Sequence, residues 1–567
     1  MMRVFKPTAP WICLAETLVL FLLYLAWLHP TNWFGRYRDD AAYFSSAKAL
    51  AEGRGYVIPS LPGEPPQTLY PVLYPWLLSW VWKWDPSFPS NIGPGVCLTA
   101  FFSCWFLVVA FQLLRKLEGV GDWPAFGIVF LCAFDPDYLF FSSTLMSDLP
   151  FMALALTAAL GADKSMRAGG RLAPAVLVGA VAGLAVMMRT VGVAVVAGIL
   201  LACLFRRAFR QAVAFCLGAA PLVGPVVWTV CRSLLGHRGV SVPGVASTLP
   251  GWQQTFFSYT SYLKSWRFCV PNLHVFWAML RNNLQAATLA PAMYWLSPTL
   301  NIGHSLAPNA LGAIVGAFSL AGILRQARRQ EWKPLHFILP PYLAVLVLWQ
   351  YPIMERFLLL FLPLLLLGLW VEGRNLAGLA LSKLRPPNPA GDRLVAATLL
   401  VGLGAFVGIA AWNYAFGHRL ELPVLSGQQK QMTQEKRQVY EWIRHNSAPR
   451  AVVVSDGDMM LYLYTGRQAV IPIFFSAQYV YTGDHRVLDR DLAHITDAAC
   501  AVGARYWLTS EDDFHQMFQT AEVKERVARL LSGLPEVFRS QGGQVRLYDI
   551  SALLQSLSAP CPPEPGP

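Results

Sequence analysis

Residues 11–52 read WICLAETLVLFLLYLAWLHPTNWFGRYRDDAAYFSSAKALAE, and this stretch decides the fold class. Its first part, Trp11–Leu28, is an apolar run close to the length that an α-helix needs to cross a bilayer. No small-residue cleavage site follows the run, so we predict a retained span rather than a signal peptide. The acidic pair Asp39-Asp40 comes soon after it and opens a segment that predicts a short helix, stopped at Gly53.

The composition of the whole chain agrees with this beginning. Hydrophobic residues make up 55% of the 567 residues and charged residues only 14%, with a mean hydropathy of +0.41. Soluble globular chains carry about 25% charged residues. Trp and Tyr, at 20 each, are typical of a protein with many membrane interfaces. The composition therefore predicts an α-helical polytopic membrane protein.

Apolar runs recur along the chain, and we predict about eleven transmembrane helices. The runs lie near residues 11–29, 94–114, 123–140, 147–162, 173–189, 191–205, 211–231, 306–324, 335–351, 357–371 and 394–413.

Basic residues lie mostly in alternate short loops between these runs, in clusters such as Arg115/Lys116, Arg206/Arg207 and Arg328/Arg329. A cytoplasmic N-terminus places every such cluster inside, which is the positive-inside pattern. This pattern accounts for the net charge of +12 and makes nucleic-acid binding a poor explanation. We therefore predict a multi-pass protein of the cell inner (plasma) membrane.

This topology predicts three parts. Residues 1–413 form the transmembrane domain, whose first extracytoplasmic loop, about 30–92, holds interfacial helices. Residues 414–555 form a small extracytoplasmic α/β domain, since short β-branched runs alternate there with helical stretches. Residues 556–567 include CPPEPGP and are predicted to be disordered.

Most of the ten cysteines lie inside apolar runs, and no CxxC pair occurs. Buried thiols of this kind behave as small hydrophobic groups. Disulfide pairing stays open for Cys231, Cys269, Cys500 and Cys561.

Several ionisable residues come to the extracytoplasmic side in this topology. They are Asp39, Asp40, Asp135, Asp137, Asp148, Arg189, Glu355 and Arg356. Ionisable groups near membrane depth are costly, which makes each one a functional candidate.

Each candidate also has a structural explanation. Either Asp of the pair, or Asp148, could cap the helix that follows it. Arg189 and Arg356 could extend to lipid headgroups, and Asp135 and Asp137 are typical turn residues. It is the coincidence of these residues on one membrane face that favours a site.

An acid beside arginines at a water–lipid boundary suits group transfer from a lipid phosphate. A carboxylate can take the proton of an attacking hydroxyl as general base, and an arginine can hold phosphate oxygens through two hydrogen bonds. The sequence holds no GxxxxGK[ST], GxSxG or HExxH motif.

The sequence resembles GT-C-type glycosyltransferases, in the bacterial branch related to protein O-mannosyltransferases and lipid A aminoarabinose transferases. The resemblance rests on the first apolar run, RYRDDAAYFSSAKALAEGRGY (36–56) and LYPVLYPWLLSW (69–80), with weaker matches in MSDLPF, MMRTVGVAV and ERFLLLFLPLLLLG. It implies a GT-C-like fold and a lipid-linked sugar donor as co-substrate.

The resemblance also implies residue roles. Asp39 stands at the catalytic base, with Asp40 at the second acidic position, and Asp148, Arg189 and Arg356 match weaker elements of the pattern. Tyr43 and Glu355 complete our list of substrate-binding candidates. Leu69-Tyr70-Pro71 departs from the Glu-Lys that precedes this proline in the aminoarabinose transferases, so no particular donor is carried over. No metal ligand set is matched, and metal dependence stays open.

The leading hypothesis is an inverting glycosyltransferase that moves a sugar from a polyprenyl-phosphate donor to a glycan, lipid or protein acceptor. It requires Asp39, Asp148, Arg189 and Arg356 to converge. The alternative is a transporter or flippase, which predicts broken helices near the bilayer midplane and polar residues on both faces of a pathway. A membrane scaffold, or a polymerase or ligase without the same base, is the third hypothesis.

Overall fold

The computed structural model describes residues 9–117, 120–167, 172–235, 270, 272–296, 306–329, 332–352, 355–383, 390–473, 477–493, 495–514 and 520–556. Its membrane-domain helices are α1 (Ala9–Trp27), α2 (Arg38–Ala51), α3 (Leu73–Trp84), α4 (Ile92–Leu114), α5 (Asp122–Ala133), α6 (Pro136–Ser142), α7 (Asp148–Arg167), α8 (Ala173–Met188), α9 (Val193–Phe205), α10 (Phe209–Leu235), α11 (Leu273–Leu296), α12 (Leu306–Arg329), α13 (Pro334–Val347), α14 (Leu362–Lys383) and α15 (Ala390–Phe416). The tail adds helices α16 (Leu422–Asn446), α17 (Asp458–Thr465), α18 (Ala477–Thr482), α19 (His485–Leu492), α20 (Asp497–Ala501), α21 (Thr520–Leu531) and α22 (Ser551–Ser556), with strands β1 (Val452–Val454), β2 (Gln468–Val470), β3 (Tyr506–Ser510), β4 (Glu536–Arg539) and β5 (Val545–Asp549).

Each of the eleven predicted apolar runs is helical in the structure. In the described part of the chain, six helices are long and apolar enough to cross a membrane, and a seventh crossing is formed if α5 and α6, bent by 64°, are one span. Three shorter apolar helices are Ala173–Met188, Thr190–Phe205 and Pro334–Val347. The predicted fold class is confirmed, while the exact number of crossings stays a prediction.

Helix α11 is absent from our prediction, which placed residues 232–305 in an extracytoplasmic loop. The helix has 24 residues, and Pro291 interrupts its apolar pattern. Asn283 near its middle donates a hydrogen bond to the carbonyl of Trp349, after the end of α13, and Asn413 near the end of α15 donates one to the carbonyl of Trp295. The helix therefore rests against the ends of two spans.

Glycines bring neighbouring helices of the bundle into backbone contact. A Cβ atom at Gly179 or Gly218 would collide with backbone atoms of the facing helix in the α8–α10 pair, and Gly322 and Gly368 have the same relation between α12 and α14. Small residues at such crossings are the usual way in which membrane helices pack closely.

The first loop folds against the helix bundle through α2 and α3. Helix α2 buries most of its side chains, and Trp82 of α3 donates its indole N–H to the carbonyl of Phe44. Trp76, Trp80 and Trp84 are exposed at spacings of four residues, on one helical face. This exposed aromatic face is consistent with the predicted interfacial segment.

The tail forms a mixed five-stranded sheet in the order β2-β1-β3-β5-β4. Strands β1, β2 and β3 pair in parallel, and β5 pairs antiparallel to both β3 and β4. Strands β4 and β5 are absent from our prediction, although Val545 and Leu547 alternate with polar residues as in a half-buried strand.

A continuous helix joins the bundle to the sheet domain. Helix α15 passes through a π-helical turn, Gly417–Glu421, into α16, so that residues Arg393–Asn446 form one run of 54 residues. At about 1.5 Å per residue this run is about 80 Å long. Its second half stays in contact with the first loop, since Asn32 Nδ2 donates to Ser426 Oγ at 3.1 Å.

Candidate active site

The site lies where the first turn of α2 meets a 3₁₀ turn, Glu355–Phe361, that precedes α14. Asp39 accepts a hydrogen bond on Oδ1 from the Tyr70 hydroxyl at 2.6 Å and forms an ion pair through Oδ2 with Arg356 Nη2 at 3.1 Å. The Asp39 side chain is 22% exposed, so its carboxylate stays accessible between these two donors.

Arg356 is held by aromatic rings. Its guanidinium lies 5.2 Å from the ring centre of Tyr37 and 4.9 Å from that of Phe357. The Tyr342 hydroxyl of α13 fixes the turn by donating to the carbonyl of Phe357 at 2.7 Å. Within the described residues, buried Nε and Nη1 of Arg356 have no hydrogen-bond partner. Two charged donors therefore lie beside Asp39 without a hydrogen-bond partner, although both are covered and present no surface to solvent.

The surroundings of Asp39 keep it ionised. Burial raises its pKa, but the charge of Arg356, the hydrogen bond from Tyr70 and the charge of Arg189 together lower the pKa below the ordinary aspartate value. Asp39 is therefore a carboxylate at neutral pH and can accept a proton.

A second ion pair, Asp148 with Arg189, lies beside the first. Asp148 is the first residue of α7, and Arg189 sits at the break between α8 and the 3₁₀ turn Thr190–Gly192. This break is tight, because a Cβ at Gly192 would lie 2.6 Å from the backbone nitrogen of Val186. The Arg189 guanidinium lies 5.6 Å from the ring centre of Phe357, the ring that Arg356 also contacts, so the two ion pairs are neighbours.

Asp40 has a role different from that of its neighbour. Its Oδ2 accepts the backbone N–H of Gly35 at 2.9 Å and its Oδ1 accepts that of Ala41 at 2.5 Å. Burial raises its pKa well above the ordinary value, against these two hydrogen bonds. Neither Asp caps α2, because the N-cap is Tyr37, which makes no side-chain cap. Asp40 shapes the chain that leads into the helix.

The other candidates are placed as follows. The Tyr43 hydroxyl hydrogen-bonds Ser147 Oγ at 2.9 Å, next to Asp148. Asp135 caps α6 through the backbone N–H of Tyr138, as its structural explanation requires. Glu355 begins the 3₁₀ turn, and its side chain lies outside the described residues. The structure thus brings Asp39, Arg356, Asp148 and Arg189 together.

Tyr70 is the residue that our sequence analysis did not propose for the site. Its hydroxyl reaches Asp39 across 31 residues of sequence, and its ring meets that of Tyr43 at 4.8 Å. The only sequence signal for a role of Tyr70 was its position before Pro71, where the aminoarabinose transferases have lysine. Across the described residues, no group of three or more His, Cys, Asp or Glu is placed to hold a metal ion.

Comparison with solved structures identifies the fold. It is that of the GT-C-type membrane glycosyltransferases, so the resemblance in the sequence is confirmed at the level of fold. The particular structure it resembles is ArnT from Cupriavidus metallidurans bound to undecaprenyl phosphate, with a TM-score of 0.51, 14% sequence identity and coverage of 94% of this chain and 98% of that chain.

A more distant similarity is to the archaeal oligosaccharyltransferase AglB from Archaeoglobus fulgidus, in complex with an inhibitory peptide and a dolichol-phosphate. The TM-score is 0.46 at 14% identity, over 94% of this chain and 74% of that chain. No family model and no curated protein matches the sequence.

Proposed function

We propose that this chain is a membrane glycosyltransferase that moves a sugar from a polyprenyl-phosphate donor to an acceptor hydroxyl on the extracytoplasmic face. The observation that carries the proposal is the pair of Asp39 and Arg356: an accessible carboxylate, fixed by Tyr70, beside a guanidinium with two unspent donors. The GT-C fold supports it, and so do the undecaprenyl phosphate in the ArnT structure and the dolichol-phosphate in the AglB structure.

In the proposed reaction, the acceptor hydroxyl oxygen attacks the anomeric carbon of the donor sugar. The bond from that carbon to the phosphate oxygen breaks and its electron pair stays on the polyprenyl phosphate, while the hydroxyl proton passes to Asp39. Attack on the face opposite the leaving group inverts the anomeric configuration. An oxocarbenium-like transition state loses the donor bond early, so a carboxylate of low basicity suffices.

Arg356 serves both partners of this reaction in the proposal. Its Nη2 holds Asp39, and in the proposal the guanidinium turns so that Nε and Nη1, which are buried without a hydrogen-bond partner, bind the phosphate of the donor. Once Asp39 takes the proton it loses its negative charge, so the guanidinium can turn fully to the leaving phosphate. Arg189 adds positive charge nearby but is itself paired with Asp148.

We further propose the inner membrane as location, with a cytoplasmic N-terminus and an extracytoplasmic sheet domain. Arg206 and Lys333 both pair with Asp163, which lies toward the opposite end of α7 from Asp148, so basic residues of two predicted cytoplasmic loops meet there. Cys500, in the sheet domain, is disulfide-bonded, and disulfides persist in oxidising compartments. A membrane-impermeant maleimide should label Cys500 in whole cells once an impermeant reductant has opened the disulfide; absence of labelling after this reduction would contradict this orientation.

The function is tested with purified protein in nanodiscs and a radiolabelled polyprenyl-phosphate sugar extracted from membranes. We expect label to move from the lipid to the acceptor fraction, and the product's anomeric carbon, read by NMR, to be inverted. Cells that lack the protein should accumulate the lipid-linked sugar in thin-layer analysis. Movement of the intact lipid between leaflets without sugar transfer would overturn the proposal in favour of a flippase.

A further inference from the structure

The sheet domain contacts the membrane domain on both sides of the site. The first contact is an ion pair between Arg38 Nη2, in the residue before Asp39, and Asp458 Oδ1 at 3.0 Å. Asp458 is fully buried and begins α17, directly after β1. Removing either partner would therefore affect the first turn of α2.

Backbone contacts extend this first contact. The N–H of Ala469 in β2 donates to the carbonyl of Ser60 at 2.8 Å, and Gln468 Nε2 donates to the carbonyl of Leu61 at 3.1 Å. The first loop thus continues the sheet at its β2 edge. Met460 of α17 packs against Gly35, whose N–H holds Asp40, so the same domain also supports the chain leading into α2.

The second contact lies on the other side of the site. The Tyr481 hydroxyl of α18 donates to Asn283 Oδ1 at 3.2 Å. Asn283 Nδ2 in turn donates to the carbonyls of Trp349 at 2.7 Å and Val347 at 3.3 Å, at the end of α13. From Trp349 the chain runs on to Arg356, seven residues later. The domain is therefore attached to the segment that presents the arginine.

The two partners Asp39 and Arg356 are 317 residues apart in sequence, yet their side chains lie 3.1 Å apart. Neither segment fixes the other through a covalent or short-range connection. We propose that the sheet domain is a positioning element for the site: Arg38–Asp458 holds the Asp39 side, and Tyr481–Asn283 holds the Arg356 side. The inference rests on the proposed function for its catalytic consequence, but the mechanical coupling itself does not.

The test compares Asp458→Asn and Tyr481→Phe with the control Arg539→Ala. The control breaks a well-formed pair, Arg539–Glu536 at 2.6 Å, on strand β4 of the same domain, far along the sheet from β2. Amide hydrogen exchange should quicken in residues 38–51 for Asp458→Asn and in residues 355–361 for Tyr481→Phe, while the control leaves both segments unchanged.

Transfer kinetics supply the second measurement. Misplacing a reacting pair lowers kcat more than it weakens substrate binding, so kcat should fall about tenfold in each variant while the KM for the lipid-linked donor changes less than twofold. Arg38→Lys keeps the charge opposite Asp458 and should retain most of the activity. Arg38→Met removes the same ion pair from its other side, and it tests the contact if Asp458→Asn fails to fold.

Unchanged exchange in both segments, or equal effects in the Arg539→Ala control, would overturn the positioning role. Equal loss of kcat in Arg38→Lys and Asp458→Asn would do the same for the Asp39 side. If the wild-type protein transfers no sugar at all, the proposed function fails, whereas the exchange comparison still decides whether the domain holds the two segments.

Discussion

Two carboxylate–arginine pairs lie next to each other at one end of the bundle, and they differ in how far the carboxylate is exposed to solvent. In the inner pair, Asp148 is 2% exposed and its carboxylate is bound to Arg189, which is 15% exposed. In the outer pair, Asp39 is 22% exposed and Arg356, 10% exposed, keeps Nε and Nη1 without hydrogen-bond partners in the described structure. We call the Asp148–Arg189 pair closed, because its carboxylate is buried, and the Asp39–Arg356 pair open, because its carboxylate is partly exposed.

The difference shows how to distinguish residues that position a site from residues that react, even when both are carboxylate–arginine pairs. In a closed buried ion pair each charge offsets part of the desolvation cost of the other, so removing one partner is strongly destabilising. An open pair has a proton acceptor that a substrate can reach, and its guanidinium keeps N–H groups without a hydrogen-bond partner that can turn to a substrate. By this criterion Asp148 and Arg189 are positioning residues, and Asp39 and Arg356 are the catalytic candidates.

The largest effect is expected at the open carboxylate. Asp39→Asn keeps an oxygen that can accept the Tyr70 hydrogen bond but removes the proton acceptor, so transfer should fall about 10³-fold. Because Asn also leaves the buried Arg356 charge without its counter-ion, thermal stability should fall as well, so transfer is compared well below the unfolding midpoint of the variant. Radiolabel transfer in nanodiscs measures the first quantity and tryptophan fluorescence during heating the second.

Asp40→Asn is the matched control for this prediction. The Asp40 carboxylate is occupied by the backbone N–H groups of Gly35 and Ala41, and an amide oxygen can still accept one of them. We expect a loss of about tenfold at most. If Asp39→Asn keeps the wild-type transfer rate while Asp40→Asn is inactive, the base is Asp40 instead.

The next effect concerns the closed pair and is one of stability. Asp148→Asn leaves the Arg189 charge buried without its counter-ion, which should cost about 3 kcal/mol of the free energy of unfolding. The double variant Asp148→Asn/Arg189→Gln removes both charges and should recover at least half of that loss, as read from the midpoint of thermal unfolding. A double variant less stable than the single one would mean that the pair is not a closed unit.

The helices could be predicted well from the sequence, because the signal for each one is an apolar run within a single segment. Each apolar run is helical, with the run 123–140 broken into α5 and α6, since a backbone in lipid must satisfy its own hydrogen bonds. Helix α11 was missed because Arg281, Asn282 and Asn283 interrupt its apolar pattern. Asn283 among them is explained by tertiary partners, since its amide donates to the carbonyls of Trp349 and Val347.

The membership of the site could also be proposed from the sequence, but its pairing could not. The topology placed Asp39, Asp148, Arg189 and Arg356 on one face, whereas the assignment of each acid to its arginine depends on how distant helix ends pack. Both arginines were expected to hold phosphate, yet Arg189 forms an ion pair with Asp148. The different roles of Asp39 and Asp40 likewise depend on the N–H groups of Gly35 and Ala41, whose contact with Asp40 no sequence motif predicts.

A smaller effect is expected at the open guanidinium. Arg356→Lys keeps the positive charge beside Asp39 but has no planar fork for phosphate, so the affinity for undecaprenyl phosphate should fall about tenfold. Fluorescence or calorimetric titration of the variant with undecaprenyl phosphate alone measures the change. Arg189→Lys should bind this lipid almost as tightly as the wild type; an equal loss in both variants would erase the distinction between the two pairs.

The smallest effect concerns the pH at which the open pair works. Asp39 acts as a carboxylate, and its lowered pKa keeps it ionised to a lower pH than an ordinary aspartate, so activity should be lost only as pH falls through that lowered value. Tyr70→Phe removes a hydrogen bond that lowers this pKa, so the acidic limb of the kcat profile should move to higher pH, with kcat near neutral pH almost unchanged. Tyr43→Phe, which removes a hydroxyl bonded to Ser147 instead, should leave the limb in place. If the limb stays in place in Tyr70→Phe as well, the group that titrates is not Asp39.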